Sequence, residues 1–246
     1  MKWRLIDSHC HINMAAFDSD RPEVVERAHR ASVALVNSGV DLESNVATKA
    51  LLTYKNVFAS YGLSPVYYKQ ASEVIRFIRQ NVGSACAIGE VGLDFYHVKQ
   101  ASERTRQENT LFQFIRLSKE LGLALILHTR DAEERVFELA HNVDTAVYHC
   151  YGGSVELAKK IVDCGHYVSI STRVCRSAQH KELLKVLPRE HVVIETDSPF
   201  LSCHKGRNEP IFVEDALRVV SRVWEEELED TASMLVNNTK NALNLV

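Results

Sequence analysis

Short apolar runs rich in Val, Ile, Leu and Ala recur along the chain. They predict strands near Arg4–His9, Val33–Asn37, Val57–Gly62, Ala85–Gly89, Leu123–His128, Ala146–His149, Tyr167–Ile170 and Val192–Glu195. Between them the spacing of apolar positions turns helical. Val74, Ile75, Phe77, Ile78 and Val82 make one stripe, and Leu111, Phe114, Ile115, Leu117 and Leu121 a second. Val136, Leu139 and Ala140 make a third, Leu157, Ala158, Ile161 and Val162 a fourth, and Leu183, Leu184 and Leu187 a fifth. Gly122 and Gly165 stand at helix-to-strand junctions. Repeated β-then-α units predict an α/β fold, a (β/α)8 TIM barrel. A doubly wound sheet is the alternative, but the chain carries no G-x-G-x-x-G fingerprint. No Pro/Gly/Ser-rich linker divides the chain, so residues 1–246 are read as one barrel domain. Asp230–Val246 is expected to form an additional C-terminal helix packed on the barrel.

Composition changes this picture little. The chain has 246 residues, 46% hydrophobic and 25% charged, with a formal net charge of −3, which excludes a disordered or low-complexity protein. A net-acidic chain has no global footprint for nucleic acid, so any phosphate binding must be local. The six cysteines form no C-x-x-C pair, and Cys10, Cys86 and Cys150 lie in apolar runs; all six are expected to be free thiols in a reducing compartment. The N-terminal residues include no apolar stretch of signal-peptide length, and runs such as Leu123–Leu127 are too short to span a bilayer. A cytoplasmic protein without membrane association is expected, and a monomer is compatible with the sequence.

Chemistry enters at the strand ends, because the carboxyl ends of barrel strands gather at one rim. The first strand ends Asp7-Ser8-His9-Cys10-His11, and alternation puts His9 and His11 on one face with Asp7, and Cys10 on the other. Glu90 directly follows an apolar run and is flanked by Gly89 and, after Val91, Gly92. A carboxylate there is costly unless it is paired or metal-bound. His128 ends the fifth strand, His149 the sixth, and Asp197 follows the eighth on the face of Glu195. Singly, each of these reads best as a satisfied core or turn residue. Together they put four imidazoles and two carboxylates around one rim, which suits two divalent ions sharing a carboxylate. The remaining histidines lie mostly in helical or junction positions and read as surface or structural.

Six segments, DSHCHI, IGEVGLDFY, ILHTRDA, YHCYGG, IETDSPFL and KGRNEP, occur in order across nearly the whole chain. This set resembles the TatD-type metal-dependent deoxyribonucleases of the wider amidohydrolase-like barrel superfamily. The resemblance implies a TIM barrel and two divalent ions. It also implies phosphodiester hydrolysis of DNA, often 3′-to-5′ removal of nucleotides from single-stranded or frayed ends, so DNA 3′ ends are the expected partner. Carried over by position, His9, His11, Glu90, His128, His149 and Asp197 are the implied metal ligands, with Glu90 bridging. Asp197 and Glu90 are the implied catalytic residues around a metal-bridged hydroxide, and Asp197 is placed to take its proton. Arg130, Arg207 and Asn208 match rim positions suited to substrate contacts. Asp94 matches a family aspartate and reads equally as a support for a ligand or as a turn residue. The donor set suits Zn, Mn, Co or Ni better than Mg, although the family is often discussed with Mg. Two departures stand out: Ser64-Pro65 where the family often has His-Pro, and Gly153 where a Ser is common. Ser64 cannot replace an imidazole as a metal or phosphate contact. The same ligand set serves related barrel hydrolases of amides, lactones or small phosphoesters. Phe95, Tyr96 and Tyr151 are rim aromatics on which a base could stack, with plain packing the blander role.

Overall fold

The computed structural model describes residues 3–245. Met1, Lys2 and Val246, the ends of the expected domain and of its last helix, lie outside the described residues. The strands are β1 (Leu5–Cys10), β2 (Val33–Ser38), β3 (Val57–Leu63), β4 (Ala85–Asp94), β5 (Ala124–Arg130), β6 (Ala146–Tyr148), β7 (Tyr167–Ser171) and β8 (Val192–Glu195). They lie in chain order in one sheet, and every neighbour pair from β1–β2 to β7–β8 is parallel. The ring closes at its carboxyl rim. The Asp197 amide donates to the His9 carbonyl at 3.0 Å, and the His11 amide to the Ser198 carbonyl at 2.8 Å. This is the expected TIM barrel.

Between and after the strands run α1 (Arg21–Arg30), α2 (Leu42–Ala50), α3 (Ala71–Gln80), α4 (Ala101–Leu121), α5 (Glu133–Ala140), α6 (Val155–Asp163), α7 (Ala178–Val186), α8 (Val213–Trp224) and α9 (Leu228–Leu243). The five apolar stripes coincide with α3 to α7. The spacing did not mark α1, α2 or α8. In α1 only Val24, Val25 and Ala28 are buried, in a helix otherwise dominated by charge. α2 turns polar Asn45 and Thr48 inward. α8 is a plain amphipathic helix that buries Val213, Ala216, Leu217, Val220 and Trp224. α9 is the expected C-terminal helix.

Two apolar layers hold the barrel. The larger lies between strands and helices and includes Leu35, Leu63, Phe114, Leu125, Ile161 and Leu217, all essentially fully buried. The smaller fills the barrel with Ile6, Ala34, Val36, Ala87, Ile126, Val147 and Val193. Trp3, just before β1, and Val236, Ala242 and Leu243 of α9 join it, so α9 helps seal the amino end of the ring.

β4 runs on to Asp94, past the expected end at Gly89. Gly89 pairs with Ile126 and Val91 with Leu127, so Glu90 is an extra residue in a bulge. A bulge re-aims the side chain it carries. Gly62 on β3 makes room for it, because a Cβ there would lie 2.4 Å from the Glu90 carbonyl oxygen. β1 is irregular in the same way between Asp7 and Cys10. The Asp7 carboxylate accepts from the Thr196 amide at 2.8 Å and the Thr196 hydroxyl at 2.6 Å. Cys10 is buried and points to the Val36 carbonyl.

The cysteine expectation needs correction. Cys10, Cys86, Cys150 and Cys164 are free, but Cys175 and Cys203 form a disulfide with Cα atoms 6.3 Å apart. They are 28 residues apart. Their proximity arises because the connections after β7 and β8 are neighbours on the rim, which Cys spacing does not encode. Among the described residues no helix is long and apolar enough to cross a membrane.

Candidate metal centre

At the carboxyl rim, four imidazoles face one another around the Glu90 carboxylate. His9 Nε2 and His11 Nε2 lie 3.0 Å apart, and so do His128 Nδ1 and His149 Nε2. Glu90 Oε2 is 3.2 Å from His9 Nε2, 3.6 Å from His11 Nε2 and 3.5 Å from His149 Nε2. Its other oxygen is 3.9 Å from His128 Nδ1, so one carboxylate spans both pairs. Asp197 Oδ1 lies 3.5 Å from His11 Nε2 and 3.7 Å from His9 Nε2, on the side of the β1 pair. All six residues singled out in the sequence are therefore brought together.

His9 and His11 are hydrogen-bonded from behind through their other nitrogen, whereas the outward nitrogens of His128 and His149 face carboxylates without a hydrogen bond. His9 Nδ1 meets the Ser38 hydroxyl at 3.1 Å, and His11 Nδ1 donates to the Ser38 carbonyl at 3.0 Å. His128 Nε2 faces Asp94 Oδ2 at 3.5 Å, and His149 Nδ1 faces Glu195 Oε1 at 3.5 Å. The other Glu195 oxygen accepts from the Ser169 hydroxyl at 2.5 Å. An outer carboxylate or carbonyl that sets the tautomer is the habit of metal-ligating histidine. Two nitrogen lone pairs facing each other at 3.0 Å repel unless a cation sits between them, either a proton or a metal ion. The groups His9–His11–Glu90, His9–His149–Asp197 and Glu90–His128–His149 each offer donor atoms close enough to share an ion. The donor chemistry and the backing of every ring fit divalent ions.

The electrostatics agree. Burial works against protonation of His11 and His149, but the carboxylates of Asp197 and Glu90 around the first, and of Glu195 and Glu90 around the second, outweigh it. They hold the imidazoles up to about 10 and about 9 respectively. His9 is pushed down by burial and by the charge of His149. Burial also opposes charge on Glu90 and Asp197, yet the encircling histidines hold Glu90 well below the usual carboxylate range and Asp197 below it. The cluster thus favours positive charge on His11 and His149 and negative charge on Glu90 and Asp197.

Asp94, left open between two roles, does both jobs. Besides facing His128, it accepts from the His97 amide at 2.8 Å and pairs with His97 Nδ1 at 2.7 Å. Glu195 and Ser38 were missed as supports. Glu195 had a visible sign, a carboxylate ending the apolar run Val192-Val193-Ile194; Ser38 had none. The three expected substrate contacts part company. Arg130 is exposed at the end of β5, and its guanidinium lies 4.2 Å from the centre of the Tyr96 ring. Arg207 is committed to Asp20 and Glu209, at 2.7 and 2.9 Å, and lies over Phe17. Asn208 is 0% exposed and donates to the Thr196 and Phe200 carbonyls at 2.9 and 2.6 Å. Asn208 therefore shapes the segment around Asp197, and Arg207 ties the β8 loop to Asp20. Tyr151 is fully buried, with its hydroxyl donating to the Ser154 carbonyl, which leaves Tyr96 as the rim aromatic most open to solvent among the three expected.

A parallel barrel with a histidine–carboxylate cluster at the carboxyl ends of its strands is the architecture of a metal-dependent hydrolase. The family model described as TatD related DNase matches residues 6–244, and the chain belongs to that family. An uncharacterized metal-dependent hydrolase of Methanocaldococcus jannaschii is 36% identical over 241 residues, covering 96% of this chain and 95% of its own. A 3′-5′ ssDNA/RNA exonuclease TatD of Salmonella typhimurium is 29% identical over 261 residues, covering 98% of this chain and 100% of its own. The crystal structure of a TatD homologue from Escherichia coli K12 matches with a TM-score of 0.86 at 25% identity, covering 100% of both chains.

Proposed function

We propose that this protein is a divalent-metal-dependent phosphodiesterase acting on DNA, which removes nucleotides from 3′ ends of single strands or frayed duplexes. His9, His11 and Asp197 would hold one ion, His128 and His149 a second, and Glu90 would bridge them. The observation that carries this reading is the opposition of two imidazole pairs at 3.0 Å across a single carboxylate. Bound divalent ions supply Lewis acidity toward phosphoryl oxygens and make water a nucleophile near neutral pH. Zn, Mn, Co and Ni match the nitrogen-rich donors better than Mg.

The chain's own groups then have definite tasks. Asp197, anionic and beside the β1 histidines, accepts the proton of the attacking water at Oδ1. Glu90 keeps the two halves of the cluster at fixed separation. Asp94 and Glu195 orient His128 and His149, so the ring nitrogens stay aimed inward. Arg130, exposed and without a carboxylate partner among the described residues, is free to contact a phosphate. The bent rim around Asp197 owes its shape to buried Asn208.

A second reading, hydrolysis of a small phosphoester, amide or lactone by the same centre, gains from one observation. Ser64 stands at the carboxyl end of β3 where the family often has histidine. Its amide donates a hydrogen bond to the Val40 carbonyl at 2.9 Å, and it leads into the turn at Pro65. Metal-loaded protein incubated with 3′-labelled single-stranded DNA, beside the Asp197→Asn variant, decides between the readings. Mononucleotide release by the wild type alone is the expected result. Two bound ions per chain without release would favour the second reading, and a protein that takes up no ion would reject both.

A further inference from the structure

Outside the metal cluster, the connections after β3, β4 and β5 and the first turns of α4 bring cations and aromatic rings together. The guanidinium of Arg130 lies 4.2 Å from the centre of the Tyr96 ring, that of Arg104 lies 4.4 Å from Phe95, and that of Arg106 lies 5.9 Å from Tyr68. Arg104 also braces the turn by donating to the Val98 and Phe95 carbonyls at 2.9 and 3.1 Å, and Arg106 donates to the Tyr68 hydroxyl at 3.3 Å. The ring of Tyr96 is 48% exposed. Phe95, Tyr96, Arg104 and Arg106 come from one stretch of sequence, and the barrel brings Tyr68 from after β3 and Arg130 from the end of β5 beside it.

What sets this patch apart is the absence of carboxylate partners. Arg189 and Arg207 also lie over rings, but each is ion-paired, the first to Glu226 and the second to Asp20 and Glu209. Among the described residues Arg104, Arg106 and Arg130 have no ion pair. On a chain of net charge −3, uncompensated guanidinium groups beside open ring faces are a local feature and not the average surface. The chemistry fits a partner with repeated phosphates and flat bases, since stacking on aromatics and cationic contact with a backbone are the two ingredients of sequence-tolerant single-strand binding. The patch also adjoins the cluster. Phe95 directly follows Asp94, which faces His128, and the Phe95 amide donates to the Arg130 carbonyl at 2.9 Å.

We infer that the Tyr68–Tyr96 face, with Arg106 and Arg130, is the track on which a single-stranded nucleic acid lies while its end reaches the metal centre. The inference rests on the phosphodiesterase reading for the direction of the strand, but binding itself is measurable without catalysis. The test is the affinity of fluorescein-labelled oligothymidylate of about ten nucleotides for the full chain in excess chelator, as a function of salt. Tyr96→Leu should weaken binding about tenfold with the salt slope unchanged, because it removes stacking and no charge. Arg106→Gln should weaken binding and flatten the slope of log affinity against log salt by about 0.7, one released counterion. Both side chains are exposed; thermal melting checks the fold, and Arg130→Gln serves as a second charge variant should Arg106→Gln not fold. Hydrolysis of bis(p-nitrophenyl) phosphate by the wild type with added Mn2+ tests the phosphodiesterase reading separately.

Unchanged affinity in the variants, with the small diester cleaved by the wild type, would overturn the track and leave the reading standing. Loss of binding in the variants, with no cleavage of the small diester, would keep the track and remove the reading. Equal weakening toward polyglutamate would make the patch a general anion surface and overturn the proposal.

Discussion

The two ends of the same strands differ sharply. On β1, Ile6 packs in the barrel while His9 faces the cluster; on β5, Ile126 packs and His128 faces the cluster; around β6, Val147 packs and His149 follows it. On β8, Val193 belongs to the interior and Glu195 backs His149. A step of two or three residues carries the chain from dry core to a dense array of ionisable groups. The amino end, closed by Trp3 and α9, is where burial of apolar area stabilises the fold; the carboxyl end gathers groups that would be costly to bury without a cation. Stability and chemistry are thus separable along a single strand.

That separation can be tested by substitutions on either side of the divide. Asp197→Asn keeps the shape of the rim but removes the proton acceptor, and should lower the hydrolysis rate by about 10²–10⁴-fold with the melting curve little changed. Ile126→Ala, two residues from His128, should do the reverse. Chemical denaturation should show a loss of about 2–5 kcal/mol, while the folded fraction keeps its specific activity. A variant at Ile126 that lost activity without losing stability would erase the distinction.

Glu195→Gln probes the boundary, because Glu195 is fully buried yet touches His149. Metal affinity, measured by competition with a chromogenic chelator, should fall about 10–100-fold. The dependence of metal binding on pH tests the same boundary through its protons. His11 and His149 are held up to about 10 and about 9 before an ion binds, so at neutral pH both carry protons that a metal must displace. Binding therefore strengthens as pH rises and weakens as it falls, by about tenfold per pH unit for each displaced proton. Calorimetric titration in buffers of different ionisation enthalpy counts those protons; a pH-independent affinity would show that the rings are already neutral.

Much of the clustering at the rim was legible because barrel strands are short, apolar and aligned by their own ends. A histidine or carboxylate just past an apolar run must arrive at the common rim, so His128, His149 and Asp197 could be placed without knowing any distance. Glu90 was legible as a rim carboxylate but not in its setting: the bulge that aims it depends on how β4 pairs with β5 and on the room left by Gly62. Arg207 and Asn208 have partners the sequence did not show, because residue type and nearness along the chain say nothing about competing partners. Asp20 and Glu209 capture the one, and carbonyls at 2.9 and 2.6 Å occupy the other.

The order of apolar runs and polar strand ends was enough for the barrel, its extra helix and the six side chains at its mouth, since both follow from local periodicity and from the rule that parallel strands share one carboxyl edge. Only the folded chain decided that Cys175 meets Cys203, that Asp94 and Glu195 stand behind His128 and His149, and that Arg106 and Arg130 lie over rings without a carboxylate to neutralise them. Those pairings join different loops. Which partner wins there is a contest of distances, and only the closed ring sets those distances.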